Sequence, residues 1–205
     1  MEFFHLETPV VGILRGVDGP FFSQILKASF SSGLQALEVT MNTENVLEMV
    51  SRNRALVPEG KLLGIGTVCR VEEAVQAIDA GAMFLVTPNL DKEVIEYAHS
   101  RNVPVIAGAL TPTEVYEARK AGAAMVKVFP CNAMGGARYI KDLRGPFDTI
   151  PLVAVGGVTV ENLNEYIKAG VQAVGVSTSL FGRQALKDKD INSLTQNVKD
   201  FTAYF

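Results

Sequence analysis

The ten residues AGAAMVKVFP, at positions 121–130, contain the pattern that decides the fold. A glycine follows a helix-like segment, and a short, mostly apolar run follows the glycine. The same order of residue types recurs at positions 32–37, 80–85 and 169–174. The glycines at positions 33, 81, 122 and 170 are each predicted to end a helix and to lead into a buried strand.

Eight apolar runs along the chain predict eight strands. They are Val10–Arg15, Ala36–Met41, Leu63–Thr67, Met83–Thr87, Val105–Ala109, Met125–Phe129, Leu152–Val155 and Ala173–Val176. Their hydrophobicity is continuous rather than alternating, which is typical of strands buried on both faces of a parallel sheet. Helical patterns separate the runs, and TPTE at 111–114 has the residue types of a helix capping box. Eight strand-plus-helix units favour a closed (β/α)8 barrel, the TIM-barrel class, over an open sheet.

The length and composition of the chain fit one domain. Its 205 residues are 48% hydrophobic, which is enough to fill a sizeable core. A (β/α)8 barrel of this length is near the short end of the usual range. Residues 1–205 are therefore predicted to form a single barrel domain.

The charge and the apolar pattern argue against several partners. A formal net charge of −3, without a block of like charges, gives no basic surface for nucleic acid. No apolar run reaches the roughly 18 residues that a membrane span needs, and no basic segment followed by an apolar one opens the chain. We expect a cytoplasmic protein that binds a small molecule and neither nucleic acid nor membrane.

Histidine and cysteine are too scarce to suggest a metal site. His5 and His99 lie far apart, and Cys69 and Cys131 are too few for a disulfide framework. Both cysteines are predicted to be thiols without a function. The sequence predicts neither a metal ion nor a cofactor, which leaves the chemistry to lysine, arginine and carboxylate side chains.

Lys127 is the most informative polar residue, because it interrupts the apolar run Met125–Phe129. Reactive groups of a (β/α)8 barrel lie at the carboxyl ends of its strands. Burial disfavours the charged ammonium and lowers its pKa, and the neutral amine can then attack a carbonyl carbon to form an imine. The alternative is a lysine that extends to solvent or pairs with a carboxylate.

Glu38 lies inside the apolar run Ala36–Met41. By the two-residue period of a strand, Thr40 and Asn42 share its face, and Glu38 is predicted to point to the same interior as Lys127. A carboxylate near an amine can form a structural ion pair, or it can transfer protons during imine chemistry. Both interpretations remain open.

Two places suit anionic groups. Gly156 and Gly157 follow the seventh run, and Ser177 and Thr178 follow the eighth, where barrels commonly bind phosphate. Arg15 closes the first run and can bind a carboxylate or phosphate in a forked geometry, or form a salt bridge at the rim.

Six motifs carry a resemblance to a known family. They are GILR at 12–15, EVT at 38–40, GIGTV at 64–68, TPTE at 111–114, KVFP at 127–130 and GGV at 156–158. In this order and spacing they resemble the 2-keto-3-deoxy-6-phosphogluconate (KDPG) and 4-hydroxy-2-oxoglutarate (KHG) aldolase family, a group of short (β/α)8 class I aldolases. The resemblance runs from about Val10 to Leu180.

The resemblance implies a Schiff-base aldolase that reversibly cleaves a 2-keto-3-deoxy-6-phospho-aldonate to pyruvate and glyceraldehyde 3-phosphate. A second implied substrate is KHG, which would give pyruvate and glyoxylate. The family usually forms homotrimers and acts in carbohydrate metabolism such as the Entner–Doudoroff route, so a homotrimer is implied here.

The resemblance also implies residue roles. Lys127 looks like the imine-forming lysine and Glu38 like the general acid/base. The implied substrate contacts are Arg15, Asn42, Thr67, Pro88 and Phe129, of which Arg15 and Thr67 would contact the pyruvate-derived carboxylate end. The implied phosphate contacts are Gly156, Gly157, Ser177 and Thr178.

Two departures from the family pattern concern substrate stereochemistry. Asn42 stands where many members have an arginine, four residues after the glutamate. TPN at 87–89 and AVGG at 154–157 replace the commoner SP and PTGG versions. Both are similar to the branch that acts on 2-keto-3-deoxy-6-phosphogalactonate, the C4 epimer, but some gluconate-type members also lack that arginine, so both epimers stay open. Because an amide offers neutral hydrogen bonds in place of a charged guanidinium, we expect a neutral substrate hydroxyl near Asn42.

Two other functions are compatible with the residues. A phosphate-binding barrel with isomerase or synthase activity would share the glycine pair but would not need Lys127 in a dry strand. A non-catalytic sugar-phosphate-binding protein would use Lys127 and Glu38 as a buried ion pair that holds the barrel closed.

Overall fold

The computed structural model describes residues 6–205, so His5 and the opening of the chain lie outside the described residues. Eight parallel strands hydrogen-bond in sequence order, and β8 returns to β1 to close the sheet. The strands are β1 (Val10–Leu14), β2 (Ala36–Thr40), β3 (Leu62–Gly66), β4 (Leu85–Val86), β5 (Val105–Ala109), β6 (Met125–Val128), β7 (Leu152–Val155) and β8 (Ala173–Val176). The predicted (β/α)8 barrel is confirmed.

Helices surround the barrel. They are α1 (Gly19–Ser31), α2 (Val46–Asn53), α3 (Val71–Asp79), α4 (Lys92–Ser100), α5 (Pro112–Lys120), α6 (Ala137–Arg144), α7 (Leu163–Lys168), α8 (Thr178–Phe181), α9 (Arg183–Asp188) and α10 (Ile191–Thr202). Short 3-10 turns lie at Arg54–Leu56 and Cys131–Met134. None of the helices in residues 6–205 has the length and apolar character needed to cross a membrane.

The predicted strands agree with the observed ones to within about a residue, except at β4. There the regular strand covers only Leu85–Val86, where Met83–Thr87 was predicted. The backbone pairing extends further, because Met83 N–H donates to Leu63 O and Thr87 N–H donates to Ile106 O. The difference therefore concerns where the regular strand ends and not how the chain pairs.

The four repeated glycines end helices as predicted, and Gly122 shows why. It follows α5 with a φ of 100°, a left-handed conformation that a residue without Cβ adopts freely. Its N–H donates to Arg119 O, and the next N–H, of Ala123, donates to Ala118 O. These two bonds form a Schellman motif, which satisfies the last carbonyls of the helix. The predicted capping box at the start of α5, between Thr111 and Glu114, is also present.

The core has two parts. One lies inside the barrel, where Phe84, Ile106 and Met125 are buried among apolar side chains from the other strands. The larger part lies between the outer face of the sheet and the helices. The last helix, α10, buries Leu194, Val198 and Phe201 against this part. Phe205 lies beyond the end of α10 and is 49% exposed.

Gly108 in β5 allows the turn after β4 to lie directly on the barrel wall. A Cβ at this position would lie 2.3 Å from the carbonyl carbon of Pro88. Thr87, which is fully buried, fixes the turn by accepting from Gly108 N–H at 3.0 Å and donating to Asn89 O at 2.6 Å. The close approach joins backbone to backbone, so no side-chain rotation can relieve an added methyl group.

We expect Gly108→Ala to lower the free energy of unfolding by about 3 kcal/mol, because overpacking here must displace the backbone. Gly19→Ala is the matched control, since its Cβ would meet nothing closer than Met49 Cγ at 3.7 Å. Urea unfolding of both variants is the measurement. Equal stability of the two variants would contradict the close approach at Gly108.

Candidate active site

Glu38 and Lys127 enter the barrel interior from opposite walls. Glu38 lies in β2 beside Gly64 of β3, and Lys127 lies in β6 beside Gly108 of β5. Alternate strands of a (β/α)8 barrel supply one layer of interior side chains, and both β2 and β6 are even-numbered strands. The two side chains line the same cavity, as their predicted common direction requires.

A glycine makes room for the Glu38 carboxyl group. A Cβ on Gly66 would lie 2.5 Å from Glu38 Cδ, so the carboxyl group occupies the space that any other residue would fill. Glu38 is 1% exposed, and within residues 6–205 its Oε2 has no hydrogen-bond partner. Burial raises the pKa of Glu38 to about 7, although the positive charges of Lys127 and Arg15 act in the opposite direction.

Lys127 is 6% exposed, and its Nζ lies 4.9 Å from the ring centroid of Phe129. Burial lowers the pKa of Lys127, and the positive charge of Arg15 lowers it further, whereas Glu38 raises it. Within residues 6–205, no ion pair shorter than 4.0 Å joins Lys127 to Glu38. The alternative of a contact ion pair that holds the barrel closed therefore finds no support in the geometry.

Arg15 is held at the rim by two neighbours. Its Nη1 donates to Asn42 Oδ1 at 3.0 Å, and its Nη2 donates to Thr67 Oγ1 at 3.4 Å. Thr67 has a φ of 59°, a left-handed conformation that is strained for a β-branched residue. Such strain occurs where the surrounding structure needs a side chain in a particular place.

The glycine pair after β7 bends the chain sharply, because Gly156 and Gly157 have φ values of 107° and 72°. The side chain of Asn132, from the turn after β6, lies against both: added Cβ atoms would approach it to 2.7 and 2.6 Å. Ser177 and Thr178 follow β8 on the same rim. The sequence analysis missed Asn132, and no sequence pattern singles it out.

One cavity of about 290 Å³ at the carboxyl ends of the strands collects ten of the eleven predicted site residues. They are Arg15, Glu38, Thr67, Pro88, Lys127, Phe129, Gly156, Gly157, Ser177 and Thr178. The remaining one, Asn42, reaches the cavity only through Arg15 and lines a neighbouring groove of about 880 Å³. The sequence analysis missed the apolar wall formed by Ile13, Val155, Val158 and Val176.

The cysteines agree with the prediction that both are thiols. Cys69 and Cys131 are both free thiols. Cys131 is buried, and burial raises the pKa of its thiol to about 11, so it is not activated as a nucleophile. Over residues 6–205, no group of three or more His, Cys, Asp or Glu side chains is placed to hold a metal ion.

Known proteins are similar to this chain in sequence and in fold. The model of a family described as KDPG and KHG aldolase matches residues 5–197. The 2-dehydro-3-deoxy-6-phosphogalactonate aldolase of Escherichia coli (strain K12) is 34% identical over 175 residues, covering 84% of this chain and 84% of that protein. A structure titled "Native KDPGal structure" superposes with a TM-score of 0.91 at 30% identity and covers 98% of this chain and 95% of that one.

A further solved structure carries chemical information. It is KDPG aldolase from Legionella pneumophila, described as holding pyruvate captured as a covalent carbinolamine intermediate. It has a TM-score of 0.87 at 25% identity and covers 95% of this chain and 94% of that one.

The fold and the matched relatives define the protein as an aldolase, a carbon–carbon lyase built on a (β/α)8 barrel. Within that class, the chain belongs to the family of KDPG and KHG aldolases. The isomerase or synthase and the non-catalytic binding protein, considered from the residues alone, are therefore set aside.

We expect Glu38→Gln to change the pH dependence of stability. The pKa of Glu38 is raised from 4.5 to about 7, so the folded state binds this proton more tightly than the unfolded state. The resulting stabilisation is complete below pH 4.5 and is lost as the pH rises through about 7. At about 1.4 kcal/mol per pKa unit, the loss is on the order of 3 kcal/mol, and the glutamine variant should not show it.

Urea unfolding across this pH range measures the effect. Glu44→Gln, which removes an exposed carboxylate from the loop after β2, is the matched control and should keep the wild-type slope. An equally steep decline in Glu38→Gln would show that Glu38 titrates normally.

Proposed function

We propose that the protein is a class I aldolase in which Lys127 forms a Schiff base with the ketone of a 2-keto-3-deoxy-6-phospho-aldonate. The observation that carries the proposal is the placement of a buried amine and a buried carboxyl group, Lys127 and Glu38, in the wall of one cavity. Burial lowers the pKa of the Lys127 amine and raises that of the Glu38 carboxyl group to about 7. A neutral amine is the nucleophile for a ketone, and a carboxyl group with a pKa near 7 can donate and accept protons at neutral pH.

The chemistry follows from these two groups. The Lys127 nitrogen attacks C2 of the substrate, a C–N bond forms, and the ketone oxygen becomes the hydroxyl of a carbinolamine. Glu38 protonates that hydroxyl, water leaves, and a protonated imine remains. Glu38, now a carboxylate, removes the proton of the C4 hydroxyl, the C3–C4 bond breaks, and its electron pair moves into an enamine. The C4–C6 fragment departs as glyceraldehyde 3-phosphate.

The second half-reaction returns the enzyme to its starting state. Glu38 gives its proton to C3 of the enamine, which becomes the protonated imine of pyruvate. Water adds to this protonated imine and gives one proton back to the Glu38 carboxylate, the C–N bond breaks, and pyruvate leaves with Lys127 again an amine. Each proton taken up by Glu38 is returned within the cycle, so the reaction needs no external oxidant or reductant.

The remaining cavity residues fit the two ends of such a substrate. Arg15 and Thr67 lie together at one rim, where they would bind the C1 carboxylate. Gly156, Gly157 and Ser177 lie at another part of the rim, where main-chain and hydroxyl donors would bind the phosphate. Pro88 and Phe129 would form walls beside the reacting carbons. The covalent pyruvate carbinolamine described for the related L. pneumophila enzyme supports carbinolamine chemistry with pyruvate.

We further propose that the preferred substrate is the galactonate epimer. Val155 lines the cavity and gives it an apolar surface where the commoner family motif places a threonine. Asn42 and the AVGG segment at 154–157, which are similar to the galactonate-acting branch, support this choice. KHG stays a predicted second substrate, and the cytoplasmic location, the Entner–Doudoroff role and the homotrimer stay predictions as well.

Treatment with pyruvate and sodium borohydride tests the Schiff base. We expect one reduced pyruvate adduct per chain, and peptide mapping should place it on Lys127. Lys127→Ala should fold, because the change removes a costly buried amine, but it should form no adduct. Lys120→Ala, at an exposed lysine of α5, is the matched control and should form the adduct normally. An adduct on another lysine, or none in the wild type, would overturn the proposal.

The epimer preference is tested by measuring kcat/KM for the two phosphorylated C4 epimers. We expect the wild type to favour the galactonate epimer. Val155→Thr keeps the shape but adds a hydroxyl, and it should move the preference toward the gluconate epimer by about tenfold, the effect of one hydrogen bond. Val158→Thr, at another apolar lining position, is the control. An unchanged preference in Val155→Thr would remove this residue from substrate selection.

A further inference from the structure

Arg15 is exposed and belongs to a flexible side-chain type, yet both terminal nitrogens of its guanidinium are engaged. An arginine has five N–H donors and cannot accept a hydrogen bond. The Asn42 atom that faces Arg15 must therefore be the amide oxygen. Two of the five donors are used by Asn42 and Thr67, and three remain for an anionic ligand.

The surroundings of Asn42 show what it prevents. Asn42 contacts Arg15 and also lines the neighbouring groove, whose charged lining residues are Asp18, Glu44, Glu48 and Arg52. Asp18 is paired with Lys189, and Glu48 is paired with Arg52, whereas Glu44 forms no ion pair within residues 6–205. Without the amide, the Arg15 guanidinium would be free to turn away from the cavity toward this acidic groove.

We propose that Asn42 is a positioning residue for Arg15: it fixes the guanidinium toward the cavity through a neutral acceptor that leaves the positive charge uncompensated. The inference rests on the proposed function, in which Arg15 binds the carboxylate of the keto acid. The sequence predicted a direct substrate contact for Asn42. In the proposed role Asn42 acts through Arg15, because it does not line the cavity.

Thr67 supplies the second anchor. Its left-handed backbone is strained, and its hydroxyl accepts a hydrogen bond from Arg15 Nη2. The two anchors come from different elements, the loop after β2 and the end of β3. Together they restrict the guanidinium at two points, so less conformational entropy is lost when a carboxylate binds.

The neutrality of the Asn42 amide matters because the positive charge of Arg15 acts on the reacting groups, Glu38 and Lys127. The charged groups that act on Glu38 are Lys127 and Arg15, and those that act on Lys127 are Glu38, Arg15 and Cys69. Arg15 lowers the pKa of both Glu38 and Lys127. An aspartate at position 42 would keep the hydrogen bond to Arg15 but would compensate its charge, which would weaken both effects.

The test compares two variants. Asn42→Ala removes the hydrogen bond to Arg15, whereas Asn42→Asp keeps that hydrogen bond but compensates the positive charge of Arg15. We expect both changes to raise the KM and the half-saturating pyruvate concentration for borohydride trapping about tenfold, while kcat stays within about threefold. In Asn42→Asp, the acidic limb of the pH profile of kcat/KM should also move to higher pH. The reason is that the aspartate compensates the charge of Arg15, so the pKa of Glu38 rises. Asn45→Asp adds the same charge on the same loop without a hydrogen bond to Arg15 and should change neither quantity.

Unchanged pyruvate saturation in Asn42→Ala, or an equal effect of Asn45→Asp, would overturn the positioning role. Asn42→Asp is nearly isosteric, so it tests the proposal even if the alanine variant does not fold. If wild-type Lys127 forms no pyruvate adduct, the proposed function fails instead. If the adduct forms and both Asn42 variants saturate like the wild type, only the positioning role fails.

Discussion

Closure of a parallel sheet into a barrel places two ionisable side chains, Glu38 and Lys127, in one interior that excludes most water. Neither would keep its ordinary protonation behaviour there, because burial penalises the charged form of both groups. The fold tolerates this cost only with specific support. Because Gly66 has no side chain, the Glu38 carboxyl group has space beside it. Within residues 6–205, no ion pair shorter than 4.0 Å joins that carboxyl group to Lys127.

The rest of the site depends on this arrangement. Glycines 64, 66 and 108 shape the interior and the wall around the two reactive groups, and each is required by a neighbour that lies too close for a Cβ. The rim is more polar and more exposed. There Arg15 is oriented by side chains from two loops, and the glycine pair after β7 is fixed by Asn132 from the turn after β6. The reactive groups therefore lie on strands of the barrel, whereas the rim of the site is built from several short loops.

Local sequence patterns were sufficient to predict most of the strands and several helix ends. Helix ends such as Gly122 and the capping box at Thr111 are short-range features, because their hydrogen bonds join residues only a few positions apart. Continuous apolar runs identified the strands. The least accurate strand prediction was β4, where few regular ladder residues remain.

The sequence by itself determined the strand order, the repeat, and which residue types could supply a nucleophile, a proton carrier and an anion site. Lys127 stood out because a lysine in a buried strand is costly wherever that strand lies. Only the tertiary structure decided that Lys127 and Glu38 avoid a contact ion pair, and that Asn42 reaches the cavity only through Arg15. These relations join residues far apart in the chain, and closure of the barrel sets their distances, which no local periodicity encodes.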